Sequence, residues 1–137
     1  MAIFFFAEDI SFKLAEKRKV KNWIKNSINF YGFKLGAISY IFCSEAFLLT
    51  INKQFLNHNF HTDIITFPFS EGNVISADIY ISIDRVTENS KKFKVTFENE
   101  LRRVIIHGVL HLLGFNDNTP KNKVKMREEE NTWLTRF

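Results

Sequence analysis

Hydrophobic residues recur along this chain at strand spacing in some stretches and at helical spacing in others, and the changes of period mark its elements. Ala2 to Ala7 is an unbroken apolar run with the length of a strand. From about Leu14 to Tyr31 the apolar positions Val20, Trp23, Ile24, Ile28 and Tyr31 recur at helical spacing, and Gly32 follows as a stop. The other face of that helix carries Lys17, Arg18, Lys19, Lys21 and Lys25, a solvated ridge whose charge also suits RNA. Leu35 to Cys43 is apolar on both faces, as befits a central strand. Ser44 then offers a helix N-cap, and Phe47, Leu48, Ile51 and Phe55 continue at helical spacing. Asn57 to His61 reads as a loop containing His58 and His61; loop histidines are ordinarily solvent-facing, their functional reading is to line a site, and as metal ligands they rank well below Asp117.

Asp63 to Phe69 and Val74 to Ser82 read as strands, and Ser70-Glu71-Gly72-Asn73 between them supplies a turn, so an antiparallel hairpin is expected. Ile75, Ala77, Ile79 and Ile81 form its buried face, and Ser76, Asp78, Tyr80 and Ser82 a more polar one. Asp63 and Asp78 are expected to hydrogen-bond neighbouring loops, with support of a metal site as their functional reading. Arg85 to Phe93 is a short helix ending near Lys91, Lys92 and Lys94. A buried helix runs from about Thr96 to Leu113. Thr119 and Pro120 then start a last helix to about Arg136, with Val124, Trp133, Leu134 and Phe137 as its core residues. This order predicts one α+β domain over residues 1–137, with a small mixed sheet of about four strands covered by helices.

Composition refines that picture. The sixteen phenylalanines are expected mostly as core filler. Nineteen Lys and Arg against fifteen Asp and Glu give a net charge of +4, which favours an anionic partner such as RNA. Cys43 is the one cysteine, which excludes an intrachain disulfide and a cysteine-rich structural zinc site and fits a reducing compartment. The apolar start, Met1 to Ala7, is short, lacks a basic leader and runs straight into Glu8 and Asp9. No apolar run approaches a membrane span, so the expected location is cytoplasmic.

The chemistry concentrates in His107-Gly108-Val109-Leu110-His111-Leu112-Leu113-Gly114-Phe115-Asn116-Asp117. His107 and His111 lie one helical turn apart on one face. Gly114 stands where a helix commonly ends in a left-handed turn, which can swing Asp117 back beside the two imidazoles. A lone helical histidine is ordinarily a core residue, and Asp117 between two asparagines is ordinarily a turn residue. Two adjacent buried imidazoles, however, need partners where the sequence offers almost none, and a metal satisfies both. Two imidazoles and a carboxylate suit one zinc ion, with a fourth position left for water.

The spacing resembles the metzincin protease pattern H-E-x-x-H-x-x-G-x-x-H, but Gly108 replaces its general-base glutamate and Asp117 its third histidine. A second resemblance covers more of the chain. Glu100-Leu101-Arg102-Arg103 leading into the histidine stretch resembles the signature of the YbeY endoribonuclease (rRNA maturation factor) family, H-G-x-L-H-L-x-G-Y-D-H. Thr62-Asp63-Ile64-Ile65-Thr66-Phe67-Pro68 resembles that family's T-D-V-L-S-F-P stretch, and Ala77-Asp78-Ile79-Tyr80-Ile81-Ser82 its G-D-I-x-I-S stretch. The resemblance implies a zinc-dependent endoribonuclease acting on single-stranded RNA in ribosomal RNA maturation, with ribosomal particles as partners. This chain departs from the family at Asp117, where a histidine is usual, at Ala77, where a glycine is usual, and at Leu56, where an arginine is usual. That arginine would be a natural phosphate-binding group, and His58 or Lys53 is the local substitute.

The expected ligands are therefore His107, His111 and Asp117, with no protein general base assigned and no substrate-binding residue named. Two other function classes compete with the nuclease. One is a metzincin-like protease, which Gly108 argues against. The other is a ribosome- or RNA-associated binding module whose zinc is structural; its mark would be a fourth protein ligand.

Overall fold

A computed structural model describes residues 2–137; Met1, the first residue of the apolar start, lies outside them. The elements follow the predicted order: β1 (Ala2–Ala7), α1 (Lys17–Phe30), β2 (Lys34–Cys43), α2 (Glu45–Leu56), β3 (Ile64–Pro68), β4 (Val74–Ser82), α3 (Ile83–Lys92), α4 (Phe97–Leu112) and α5 (Pro120–Thr135). The strands form one mixed sheet in the order β1-β2-β4-β3. β1, β2 and β4 run parallel, and β3 returns antiparallel to β4 with Thr66 opposite Ile79. The expected α+β domain with its four-stranded mixed sheet and helical cover is thus present.

Local chemistry explains the helix starts. Ser44, Ser82, Thr96 and Thr119 each accept a hydrogen bond from a backbone N–H three residues on, satisfying a donor that the first turn leaves free. Because Ser82 is such a cap, α3 begins at Ile83 rather than Arg85. α1 begins at Lys17 rather than Leu14 because Glu16 takes a left-handed conformation, φ 55°, that breaks the helix there.

The sheet carries two cores. The larger face packs Ile38, Tyr40, Ile79 and Ile81 against α1, α4 and α5, including Ile24, Ile105, Leu110 and Trp133. The opposite face holds a smaller cluster in which Leu48 and Ile51 of α2 meet Cys43 and Ile65. α4 is enclosed as expected except along the stripe that carries the histidines. Gly108 faces the sheet, where an added Cβ would stand 2.9 Å from Cδ1 of Ile64 and 3.5 Å from Cδ1 of Ile79. The missing side chain lets α4 approach β3 and β4, a packing role that motif comparison alone does not reveal.

Two expectations about the core need correction. Seven of the sixteen phenylalanines, at positions 4, 6, 30, 55, 60, 69 and 93, are exposed, and Phe42 is the one in the fully buried set. Phe4 and Phe6 alternate with Ile3 and Phe5 along β1 and therefore point away from the large core. Val124 is also exposed, because the stripe that α5 buries is Met126, Glu130 and Trp133, and Val124 lies well round the helix from it.

Candidate metal centre

α4 ends as its glycine predicts. Gly114 has φ 102°, its N–H donates to the His111 carbonyl at 3.1 Å, and the Phe115 N–H donates to the Leu110 carbonyl at 3.0 Å. This paired closure satisfies two end-of-helix carbonyls and reverses the chain. The reversal brings Asp117 over the two histidines. One carboxylate oxygen lies 3.6 Å from Nε2 of His107, and the other lies 3.5 Å from Nε2 of His111. The imidazole rings stand 4.6 Å apart, centre to centre, at 77°. One donor atom from each residue falls within 4.8 Å of the others, a grouping able to hold a metal ion. Among the described residues, no further His, Cys, Asp or Glu joins it. Exposure rises along the group: the His107 side chain is 22% exposed, His111 35% and Asp117 42%, so the open side is that of Asp117.

Behind His107 lies a residue that the sequence reading passed over. Glu130 of α5 is 4% exposed, and its Oε2 lies 2.6 Å from Nδ1 of His107. Its Oε1 accepts from Nη1 of Arg103 at 2.9 Å, and Arg103 also donates to Oδ1 of Asn131 at 2.8 Å. Burial alone would raise the Glu130 carboxyl, but the hydrogen bonds from His107 and Arg103 prevail and hold it below its usual range. An ionised carboxylate only accepts, so Nδ1 of His107 carries the proton and Nε2 is free to face Asp117 and His111. Burial likewise opposes protonation of His107, yet the hydrogen bond and charge of Glu130, with Asp117 and Asp63 behind them, hold its pKa above the usual value. His111 is shifted the other way, first by burial and then by the neighbouring His107.

Two clefts meet at this group, and Asp63, His107 and Asp117 line both. One, of about 420 Å³, is lined by Arg103, Lys123 and Arg127. The other, of about 830 Å³, runs past Leu56, His58 and Phe60 to His111. Burial raises the Asp63 carboxyl above its usual value. Of the two loop histidines, His58 lines the larger cleft, whereas His61 turns to Glu45, 3.2 Å away. Asp78 lies on the face of β4 opposite Ile79, away from α4.

The family described as Endoribonuclease YbeY matches residues 5–137. The chain belongs to that family. It is 49% identical to the endoribonuclease YbeY of Parabacteroides distasonis over 98% of this chain and 94% of the relative. It is 46% identical to that of Flavobacterium psychrophilum over 96% and 94%. The solution structure of a Thermotoga maritima protein superposes with a TM-score of 0.67 at 28% identity, covering 97% of this chain and 87% of the other. Membership of the YbeY family, named for nucleases and so for hydrolases, sets aside the protease reading. The packing at Gly108 agrees, since a glutamate there would meet Ile64 and Ile79 rather than the metal-binding group.

Proposed function

We propose that this chain is a zinc-dependent endoribonuclease that hydrolyses single-stranded RNA in the maturation of ribosomal RNA, acting on ribosomal particles in the cytoplasm. The observation that carries this reading is the convergence of His107, His111 and Asp117 at the junction of two clefts. The donor set suits zinc. Zinc takes imidazole nitrogen and carboxylate oxygen together, and one such donor atom from each of the three residues lies within 4.8 Å of the others. Three protein ligands with an open position are the arrangement of a catalytic rather than a structural site. When bound, zinc supplies Lewis acidity, making water a nucleophile near neutral pH and polarising a phosphoryl oxygen.

The chain's own residues supply the rest. Glu130 fixes the tautomer and direction of His107. Lys123 and Arg127, exposed at one cleft among its carboxylates, are the cations within reach of the phosphate backbone. No helix among the described residues is long and apolar enough to cross a membrane. The test is cleavage of a labelled ribosomal RNA fragment, free and within ribosomal particles, with and without chelator. Cleavage is expected to stop with chelator and to return with zinc, and peptides are expected to remain uncut. An intact RNA in both contexts would favour a binding module instead.

Asp117 gives a second prediction. Asp117→His is expected to keep a zinc site, because zinc accepts imidazole or carboxylate equally well at the end of the same turn. Asp117→Ala is expected to weaken zinc binding by more than about 100-fold, beyond the usual cost of losing a supporting residue. A competition titration against a chelator of known affinity reads both, and wild-type affinity in Asp117→Ala would reduce Asp117 to a turn residue.

A further inference from the structure

The two clefts differ in chemistry. The smaller is lined by charge of both signs, Arg103, Lys123 and Arg127 with Asp63, Glu100, Asp117 and Glu130, whereas among the described residues neither lysine nor arginine lines the larger. There the wall is built from Leu56, His58, Phe60 and Pro68, and the groove continues to His107, His111 and Asp117. The His58 and Phe60 rings stack, with centres 5.0 Å apart and planes within 22°. Phe60 is nevertheless 57% exposed, so the pair offers an open ring surface to solvent.

This surface is held in place. Asn52 of α2 is 2% exposed; its side-chain amide donates to the Phe60 carbonyl at 2.8 Å, and its backbone carbonyl accepts from the His58 N–H at 3.1 Å. Asn57, the left-handed cap of α2 with φ 54°, turns the chain into this loop. One buried asparagine thus ties down both ends of the segment that carries the two rings. A positioned aromatic pair in a groove without cations suits a flat ligand that carries no charge of its own.

Resting on the endoribonuclease reading, we infer that the His58–Phe60 pair is a stacking platform for an unpaired base of the RNA strand whose phosphate lies at the His107, His111 and Asp117 group. A nucleotide then divides across the junction, its phosphate toward the metal-binding group and the Lys123 and Arg127 side of the smaller cleft, and its base in the aromatic groove. Every base has a π-face, so this subsite selects unpaired over paired strands without selecting sequence. Asn52 is the positioning residue behind it.

The experiment measures binding by zinc-loaded protein with fluorescence anisotropy, using a short labelled oligouridylate and an abasic ribose-phosphate strand of the same length, each checked intact on a gel. Phe60→Ala is expected to weaken oligouridylate binding about tenfold or more and to leave abasic binding unchanged. Phe60→Tyr is expected to bind as wild type. Because Phe60 is exposed, thermal stability should hold in both variants. Wild-type oligouridylate affinity in Phe60→Ala, or an equal loss for both strands, overturns the platform while leaving the nuclease reading intact. Failure of the wild-type protein to bind either strand or to cleave RNA overturns both.

Discussion

Protein purified with zinc is expected to carry about one ion per chain, and His111→Ala to carry none above background. His111 is the cleaner of the two histidines to remove. Its ring is more open than that of His107 and makes no contact with Glu130, so its loss leaves the buried network behind the site whole. Two donors remain in His111→Ala, fewer than the three protein ligands of a catalytic zinc. Removing a directly ligating group should cost more than the roughly 10- to 100-fold that loss of a supporting residue costs. RNA cleavage should fall with the metal, while the melting temperature measured with chelator should stay near that of chelated wild type. Elemental analysis beside a cleavage assay decides the matter. Equal metal content in wild type and His111→Ala would sink the assignment of the centre, whatever the cleavage result.

Much of this arrangement was legible because the relevant signals are local. The i, i+4 histidines and the glycine stop act within one helix and one turn, so backbone geometry alone brings Asp117 to the pair. The strand and helix periods fixed the element order for the same reason. What stayed hidden depends on contacts between distant segments. Glu130 lies 23 residues from His107 in a helix whose sequence is mostly polar, so one buried carboxylate looked like its solvated neighbours. A signal was present: Met126, Glu130 and Trp133 recur at helical spacing, which puts the glutamate on the stripe that faces the core. The role of Gly108 was hidden in the same way, because Ile64 and Ile79 come from two other elements. Phe4 and Phe6, two of the seven exposed phenylalanines, misled because alternation along the edge strand β1 turns every second ring outward whatever its hydrophobicity.

The Glu130 contact leads to the last expected result, in which position and charge can be separated. In Glu130→Ala the Nδ1–H of His107 loses its acceptor, and the partly buried Arg103 guanidinium keeps only that of Asn131. Breaking a fully buried ion pair from one side costs about 3–5 kcal/mol; Arg103 is partly exposed and keeps Asn131, so a smaller loss than that, read as a drop in melting temperature, is expected. Loss of a carboxylate behind a ligating histidine lowers metal affinity by about 10- to 100-fold. Glu130→Gln keeps one acceptor oxygen, enough for the Nδ1–H of His107 but with its NH2 then facing Arg103, so it is expected to recover part of the stability but not the charge. That charge helps hold the His107 pKa up, so without it the pKa must fall. Metal competes with the proton for His107, and wild-type metal binding should therefore be lost as pH drops through the raised His107 pKa. In Glu130→Gln the same loss should occur at lower pH, because a less basic ring gives up its proton more readily. A pH titration of metal binding in the two proteins reads that midpoint. A purely structural glutamate would leave it in place, whereas one that orients and polarises His107 moves it toward acid.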